Sequence, residues 1–276
     1  MKITFLGTGA AEGVPALFCN CDYCKEARDR GDIRSRSQIL IDELSVDFPP
    51  DSFYHAVKFK QDFSAIRYIL VSHAHMDHFY ACDFILHGYK YAANMTQPQI
   101  DIYANAEVNA IFKEQTRREL RESVGGTLAL HELAPFQKVC FGAFTVYPLR
   151  AQHSSRDPLV FLIEKDGKRI LHLYDTGTLP SESFAFLTTL EKKPCDLIIF
   201  DCTFLWDETQ AGARHMGLDE NMRVLARLQE IGFADGRTKK VITHFSHNAR
   251  PTKERLQKAE VEFGVIAAYD GMVLEL

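Results

Sequence analysis

The sequence contains no apolar run long enough to span a membrane, and its N-terminus lacks the charged and then apolar segments of a signal peptide. We therefore expect a cytoplasmic protein with no membrane partner. A strongly basic composition is also missing, since the formal net charge is −5. A stable nucleic-acid partner requires a basic face, so none is expected. The glycine-rich stretch 7–15 lacks the spacing of phosphate and dinucleotide loops.

Seven cysteines are an odd number, in a chain too large to be a disulfide-stapled mini-protein. Free or metal-bound thiols in a reducing compartment are the expected state. Cys19, Cys21 and Cys24 form a C-x-C-x-x-C pattern in a polar segment. Three thiolates suit one tetrahedral ion, usually zinc, with a fourth ligand from elsewhere. Buried free cysteines and a redox pair are weaker alternatives, because the segment is polar and no thioredoxin-like strand–helix pattern surrounds it.

The densest group of metal-binding side chains lies in residues 72–78, Ser-His-Ala-His-Met-Asp-His. An apolar segment precedes it, which predicts a buried strand, and the segment that follows can form a helix. The group would therefore occupy a loop at a strand end, where α/β folds place their chemistry. We expect His73 and His75 to face one ion, and Asp77 and His78 to face a second.

Three more candidate ligands follow apolar strands later in the chain: His153, Asp175 and His244. If these strands share a sheet or lie in two facing sheets, the side chains gather at one edge. Together with the first group they supply five histidines and two aspartates, which is enough for two metals that share one aspartate. Another predicted strand ends in an acid at Asp201, for which the sequence indicates no role.

The remaining pattern predicts alternating strands and helices with no linker or repeat, in two β-rich halves, and hence a single domain over residues 1–276. A hairpin is expected at Asp166-Gly167. Asn105 and Ser181 are the predicted caps of two helices. In the helix at 52–61 we expect Phe53, Val57 and Phe59 to be partly buried. Helices are expected at residues 25–30, 52–61, 83–91, 105–122, 181–190, 219–231 and 251–262.

In its order of ligands (HxHxDH, a lone His, an Asp and a final His), the sequence resembles the metallo-β-lactamase superfamily over nearly the whole chain. The resemblance implies an α/β fold, a four-layer αββα sandwich. It implies one metal held by His73, His75 and His153. It also implies a second metal held by Asp77, His78 and His244, with Asp175 bridging the two. Aspartate at the bridging position is typical of the phosphodiesterase and hydrolase branches.

Three segments look like those of the cyclic-phosphate phosphodiesterases of the phosphonate-degradation pathway: residues 6–9 (Leu-Gly-Thr-Gly), the three cysteines, and residues 243–247 (Thr-His-Phe-Ser-His). That resemblance implies a structural zinc held by Cys19, Cys21, Cys24 and His247. It also places a catalytic histidine, His215, in a late loop. The stretch 43–61 departs from the resembled family and would be either a pocket rim or a surface helix.

The expected function is metal-dependent hydrolysis of a small cyclic ribose phosphodiester, through attack by a hydroxide that bridges two zinc or manganese ions. His215 and Asp77 are the expected catalytic residues, and the substrate is the expected partner. One alternative is an endonuclease of the transfer-RNA 3′-processing type. Another is a non-hydrolytic metal-binding accessory protein. The natural substrate and the oligomeric state stay open, with a homodimer among the alternatives.

Overall fold

A computed structural model describes residues 1–88, 90–210 and 212–276, and these residues form two mixed β-sheets of seven strands each. In the first sheet the strand order is β14-β1-β2-β3-β4-β5-β6. These strands are β1 (Lys2–Gly7), β2 (Gln38–Ile41), β3 (Leu44–Val46), β4 (Tyr68–Leu70), β5 (Ile100–Ala104), β6 (Leu128–Glu132) and β14 (Met272–Glu275).

The second sheet contains the strands from the later half of the chain, in the order β13-β12-β11-β10-β9-β8-β7. They are β7 (Val139–Phe141), β8 (Phe144–Arg150), β9 (Leu159–Lys165), β10 (Lys168–Leu173), β11 (Leu197–Asp201), β12 (Lys239–Thr243) and β13 (Ile266–Ala267). The expected hairpin joins β9 to β10 in antiparallel register, with Lys165 opposite Lys168. Each half of the chain therefore supplies one sheet, except that β14 returns to the first sheet beside β1.

Each sheet is antiparallel on one side and parallel on the other, which sets the direction of its loops. Strands β3 to β6 run parallel in the first sheet, and β10 to β13 run parallel in the second. Strand β8 points the same way as β10, because both pair antiparallel with β9. The loops after β3 and β4 therefore share one edge of the first sheet, and those after β8, β10, β11 and β12 share one edge of the second.

The core between the sheets is built from alternate residues of each strand. On β10, Ile170 faces the inter-sheet layer and Leu171 faces the outer side, and Ile199 and Ile198 divide in the same way on β11. Because these central strands are buried on both faces, their sequences are almost continuously apolar. The inter-sheet layer includes Phe5, Ile41, Val46, Leu70, Phe144, Phe161 and Val241.

Helices cover the outer faces of the two sheets. In the described part of the chain they are α1 (Asp22–Arg30), α2 (Ser52–Lys58), α3 (Ala106–Thr116), α4 (Glu122–Gly125), α5 (Ser181–Leu187), α6 (Leu218–Glu230) and α7 (Lys253–Phe263). Two sheets between helical layers confirm the predicted αββα sandwich. No helix among the described residues combines the length and apolar character needed to cross a membrane.

Several helix predictions were wrong in detail. The segment predicted as a helix over 83–91 is a 3₁₀ helix at Ala81–Leu86, and Tyr89 of that prediction lies outside the described residues. The helix predicted over 105–122 begins as expected, with the Val108 N–H donating to the side chain of Asn105. It ends at Thr116, whose hydroxyl donates to the Phe112 carbonyl, and α4 is a separate helix. Pro180 occupies the cap position that was predicted for Ser181.

The stretch 43–61 is not an appended segment, because β3 is one of the strands of the first sheet. The helix that follows, α2, stops at Lys58. It turns Ser52 and His55 inward and leaves Phe53 and Val57 exposed, contrary to expectation. His55 accounts for this orientation, since its ring nitrogens lie 2.8 Å from Ser35 Oγ and 2.7 Å from Gln38 Oε1. A buried polar network, and not apolar periodicity, therefore sets the rotation of α2.

Candidate metal centre

The first ligand group, residues 73–78, lies on the loop after β4. Backbone bonds shape this loop: the Val71 N–H donates to the Tyr103 carbonyl, and the His78 and Phe79 N–H groups both donate to the His75 carbonyl. The last two bonds close a tight turn that places the side chains before and after it on the same side. The histidine-rich segment therefore converges on the edge of the sandwich where the loops of the second sheet arrive.

One cluster of possible ligand atoms joins this loop to the second sheet through His73, His75, His153 and Asp175, all within 4.8 Å of one another. His75 Nδ1 lies 3.0 Å from both His73 Nε2 and His153 Nε2. Burial lowers the pKa of His153 to about 4, and burial followed by the charge of His78 lowers that of His73. These imidazoles are therefore neutral, the form that carries a lone pair for a metal.

A second cluster consists of Asp77, His78, Asp175 and His244, again within 4.8 Å of one another. Burial works against the Asp175 carboxylate, but His244 and His78 hold its pKa well below the usual range. This carboxylate belongs to both clusters and lies between them, and the resemblance implied a bridging role for it. His244 Nε2 lies 3.8 Å from Asp175 Oδ1, a distance that leaves no direct hydrogen bond between them.

Buried polar atoms without partners provide a test of whether these clusters fit a metal. His78 Nε2, His244 Nε2 and Asp175 Oδ1 are buried and lack an aligned hydrogen-bond partner among the described residues. His78 Nε2 approaches Asp175 Oδ2 to 2.9 Å, and His215 Nδ1 approaches Asp175 Oδ1 to 3.1 Å, but neither pair has hydrogen-bond geometry. Unpartnered buried groups are costly unless something else satisfies them. A cation shared by His and Asp donors would satisfy all three atoms.

Two of the proposed ligands at this edge of the sandwich have an uncommon backbone conformation. Asp175 and His244 both have left-handed backbone angles, with φ of +52° and +63°. Residues other than glycine rarely adopt this conformation, and where they do the surrounding structure has to enforce it. Strain at two proposed ligands is typical of a site whose geometry serves binding.

A buried carboxylate that was not predicted as a site residue, Asp47, supports the second cluster from behind. Its Oδ2 lies 2.6 Å from His78 Nδ1 and accepts the Tyr174 hydroxyl at 2.7 Å. Its Oδ1 accepts the Ser72 N–H at 2.7 Å. A carboxylate on the far nitrogen of a metal-binding imidazole fixes the orientation of the ring. The available signal was an acid directly after an apolar strand, as for Asp175, but it lay within the stretch taken as an insertion.

A second unpredicted carboxylate, Asp201, organises the mouth of the site. Its Oδ1 accepts the N–H groups of Thr203 and Met216, at 3.0 and 2.9 Å. Its Oδ2 lies 3.3 Å from His215 Nδ1 and 3.4 Å from His244 Nδ1. Thr203 Oγ1 also contacts the ring of His244, at 2.8 Å. Asp201 therefore orients one proposed ligand and the predicted catalytic histidine together.

His215 lies on the late loop where the resemblance implied a catalytic histidine, and it forms a third group of possible ligand atoms with Asp175, Asp201 and His244. Burial disfavours its charged form, but the Asp175 and Asp201 carboxylates raise the pKa of His215 to about 10. Nδ1 faces these carboxylates, which leaves Nε2 as the ring atom available to a ligand. A cavity of about 380 Å³ opens beside it, lined by Thr178, Thr209, Gln210, Gly212, Ala213, Glu220 and Arg223.

The three thiols of the predicted structural zinc site do cluster, with the sulfur atoms of Cys19, Cys21 and Cys24 within 4.8 Å of one another. His247, the predicted fourth ligand, is not brought into this cluster. Its Nδ1 lies 3.0 Å from Glu12 Oε1, which also accepts the Ser246 hydroxyl at 2.6 Å. The glycine-rich loop thus holds His247 through Glu12, an acceptor that sequence spacing did not reveal.

Comparison with known families agrees with this architecture. Residues 40–245 match the model of the β-lactamase superfamily domain. The chain belongs to the metallo-β-lactamase superfamily. It is a hydrolase of this superfamily with a His/Asp metal-binding cluster.

Among solved structures, this superfamily member is similar to a diphosphatase of the PhnP family, with a TM-score of 0.72, 20% identity, and coverage of 100% of this chain and 98% of that one. Zinc-bound PqqB from Methylobacterium extorquens gives a TM-score of 0.74 at 19% identity, with both chains fully covered. The short form of human tRNase Z gives 0.66 at 19% identity, with coverage of 100% and 99%. At these identities the likeness shows the fold alone.

A curated relative, an octanoyltransferase from Porphyromonas gingivalis, is 24% identical over 280 residues. The alignment covers 99% of this chain and 51% of that protein. The superfamily member described here therefore spans about half the length of the curated relative it matches, and the octanoyltransferase activity belongs to a protein about twice as long.

Proposed function

We propose that the protein is a dinuclear metal-dependent phosphodiesterase that acts on a small phosphodiester, such as a cyclic ribose phosphate. The observation that carries this proposal is the pair of His/Asp clusters that share Asp175, with His215 beside them. In this proposal His73, His75 and His153 hold one divalent cation, zinc or manganese, and Asp77, His78 and His244 hold the other. Bound cations would supply a nucleophilic water at neutral pH and stabilise phosphoryl charge.

The protein's own residues would orient the substrate and move a proton. With Nδ1 facing Asp201, His215 presents Nε2 towards the open side of the site. A protonated Nε2 can donate a hydrogen bond to a phosphoryl oxygen or give its proton to the leaving alkoxide. General acid catalysis of this kind contributes about 10²–10⁴-fold to rates. Asp77 contacts His78 and contributes as a metal ligand. In this proposal, the catalytic role predicted for Asp77 is that of a ligand.

The size and polarity of the cavity beside His215 favour a small, hydroxyl-rich leaving group. Its volume of about 380 Å³ lies at the lower end of ligand pockets. Threonine hydroxyls and the Gln210 amide line it, and its one arginine, Arg223, is already paired with Glu220. These groups can donate and accept hydrogen bonds to sugar hydroxyls, but they offer no aromatic surface on which a base could stack.

The test is metal-dependent hydrolysis of bis-p-nitrophenyl phosphate, followed by a cyclic ribose phosphate. We expect turnover with zinc or manganese, loss of turnover in His75→Ala, and a reduced turnover number with retained metal binding in His215→Ala. His131→Ala is the matched control, because that histidine lies on β6 and contacts only Asp101 among acidic partners. Absence of metal-dependent turnover of any phosphodiester would contradict the proposal.

The same experiment also tests three other functions. The full-length likeness to human tRNase Z favours a transfer-RNA precursor as a second substrate, and its preferred turnover would promote the endonuclease function. Metal binding without turnover would instead favour a non-hydrolytic accessory role. The octanoyltransferase relative motivates an octanoyl ester as a third substrate, and preference for that ester would move the assignment to acyl chemistry.

A further inference from the structure

The N-terminal thiol cluster has an asymmetry that its three-cysteine pattern does not reveal. Cys21 is exposed, Cys19 is half-buried and Cys24 is buried. The Cys24 sulfur accepts the Ala16 N–H at 3.4 Å, so it is held beneath the loop. A thiol-reactive molecule in solution therefore reaches the Cys21 sulfur first. The buried Cys24 sulfur lies within 4.8 Å of it.

Cys21 is also the N-terminal cap of α1. The Cys24 N–H donates to its sulfur at 3.5 Å, where a serine or aspartate oxygen would normally cap the helix. Exposed cysteines at such positions in C-x-x-C sequences are the reactive members of dithiol pairs, and a buried partner three residues later is their resolving thiol. The helix supplies this arrangement without the thioredoxin-like surroundings that sequence reasoning looked for.

The contacts of His247 bear on what else could occupy the cluster. Glu12 engages Nδ1 of His247, and the ring lies outside the group of three sulfur atoms. The Cys21 sulfur is therefore not covered by a fourth protein ligand in this arrangement. Within the described part of the chain no fourth ligand joins the three thiols, so they are open to redox chemistry whenever zinc is absent.

We propose that Cys21 and Cys24 form a reversible disulfide by exchange with small disulfides of the glutathione class. The Cys21 thiolate attacks one sulfur of the small disulfide, which forms a mixed disulfide and releases one small thiolate. The Cys24 sulfur then attacks the Cys21 sulfur, which forms the internal bond and releases the second thiolate. The two cysteine protons pass to the two released thiolates, so the protein loses two electrons and the small disulfide gains them.

The spacing of the sulfur atoms permits the bond, and the exposure of Cys21 beside the buried Cys24 selects the pair. A disulfide needs a sulfur–sulfur distance of about 2.05 Å, and side-chain rotation can close a gap of at most 4.8 Å. Oxidation would remove two of the three thiolates available to zinc, so zinc and the disulfide compete for the same sulfur atoms. This inference is independent of the proposed phosphodiesterase activity.

The test uses the full-length protein, treated with a chelator and equilibrated in buffers of varied ratio of reduced to oxidised glutathione. Free thiols are then alkylated and the bonded cysteines identified by peptide mass spectrometry. We expect one internal bond, Cys21 to Cys24, that disappears as the buffer becomes reducing. Zinc added before the glutathione should slow its formation at least tenfold.

Variants separate the disulfide from the zinc site. Cys19→Ser removes one zinc ligand but should still form the disulfide, and Cys24→Ser should stop at the mixed disulfide on Cys21. Cys140→Ser replaces another exposed cysteine, on β7, and should change nothing. The proposal is wrong if Cys21 and Cys24 stay fully alkylatable at every ratio in the chelated protein. It is equally wrong if the internal bond joins Cys19 to Cys24 instead.

Discussion

Asp175 is the residue on which the two ligand clusters depend. It follows β10 with a left-handed backbone, and its oxygens approach the rings of His73, His78, His153 and His215. One carboxylate can serve two cations only if the side chains around it are fixed beforehand. The buried acids Asp47 and Asp201 fix them, each by holding the outer nitrogen of an imidazole in the site.

The role of Asp47 can be tested with Asp47→Asn, which keeps the shape of the side chain and removes its charge. His78 would then lose the charged acceptor on Nδ1, and its ring would be held less firmly. Loss of such a partner typically lowers metal affinity about 10–100-fold. Competition with a chromophoric chelator measures the affinity. Asp29→Asn, an exposed substitution on α1, is the control, and equal affinities in the two variants would remove Asp47 from this role.

His172 is a buried histidine that the proposed chemistry does not use. Both of its ring nitrogens lack hydrogen-bond partners, and burial lowers its pKa to about 3. The unfolded chain binds this proton below pH ~6.5 and the folded chain does not. The free energy of unfolding should therefore fall as the pH drops below ~6.5, and this contribution should level off near pH 3.

His172→Phe isolates this effect, because Phe161 lies opposite and the layer between the sheets is apolar. From pH 7.5 to 4.5 the wild-type protein should lose about 2–3 kcal/mol more of its free energy of unfolding than the variant. Urea unfolding with a chelator present gives both values. Parallel pH profiles for the two proteins would show that His172 is not held neutral.

At the scale of elements, the site residues lie on loops that follow strands. The packing of these loops against one another fixes the relative positions of the site residues. Gly177, two residues after Asp175, donates its N–H to the Gln152 carbonyl beside His153. A Cβ at this glycine would overlap the carbonyl oxygen of Ala213, two residues before His215. Three loops that each carry a site residue therefore meet at one glycine.

Gly177→Ala should push these loops apart and lower both metal affinity and phosphodiester turnover. Displacements of about 1 Å commonly cost about 10²-fold in rate. Gly236→Ala is the matched control, because nothing lies within 4 Å of its added methyl group. Chelator competition and turnover of bis-p-nitrophenyl phosphate measure the two effects. If both alanine variants behave like the wild type, the three loops are not coupled in this way.

At the level of elements, prediction from the sequence succeeded for features that local chemistry determines. It failed for features that contacts between distant segments determine. The apolar strands and the histidines that follow them were readable, because strand burial and ligand type are local properties. The rotation of α2 was not, since His55 reaches Ser35 and Gln38 on other segments. The contact between Glu12 and His247 joins positions 235 residues apart, which no spacing rule could predict.

At the scale of the whole molecule, the ligand set spans both sheets. His73, His75, Asp77 and His78 follow a strand of the first sheet, and His153, Asp175 and His244 follow strands of the second. The sequence indicated two β-rich halves and a shared edge. It could not show that Asp47 belongs to that edge, because the position of β3 in the sheet depends on its neighbours β2 and β4.

Cations bound across this edge should stabilise the folded state. Ligand at about 100 times its dissociation constant adds about 2.7 kcal/mol per site to the free energy of unfolding. Zinc or manganese should therefore raise the melting temperature of chelator-treated protein by several degrees. His75→Ala should show a smaller rise, measured by calorimetry at fixed protein concentration. An unchanged melting temperature on metal addition would mean that these clusters bind no cation tightly.

The division of ligands between the two sheets also predicts an order of events during folding. During refolding, neither half of the chain alone carries either of the two clusters proposed to hold the catalytic metals, because both of these include Asp175 and a histidine from residues 73–78. Tight cation uptake by these two clusters can begin only when the two sheets have docked and both loops have closed. In a Cys21→Ser variant, which weakens the thiol cluster, zinc uptake followed with a fluorescent indicator by stopped flow would thus record sheet docking as an event distinct from strand formation.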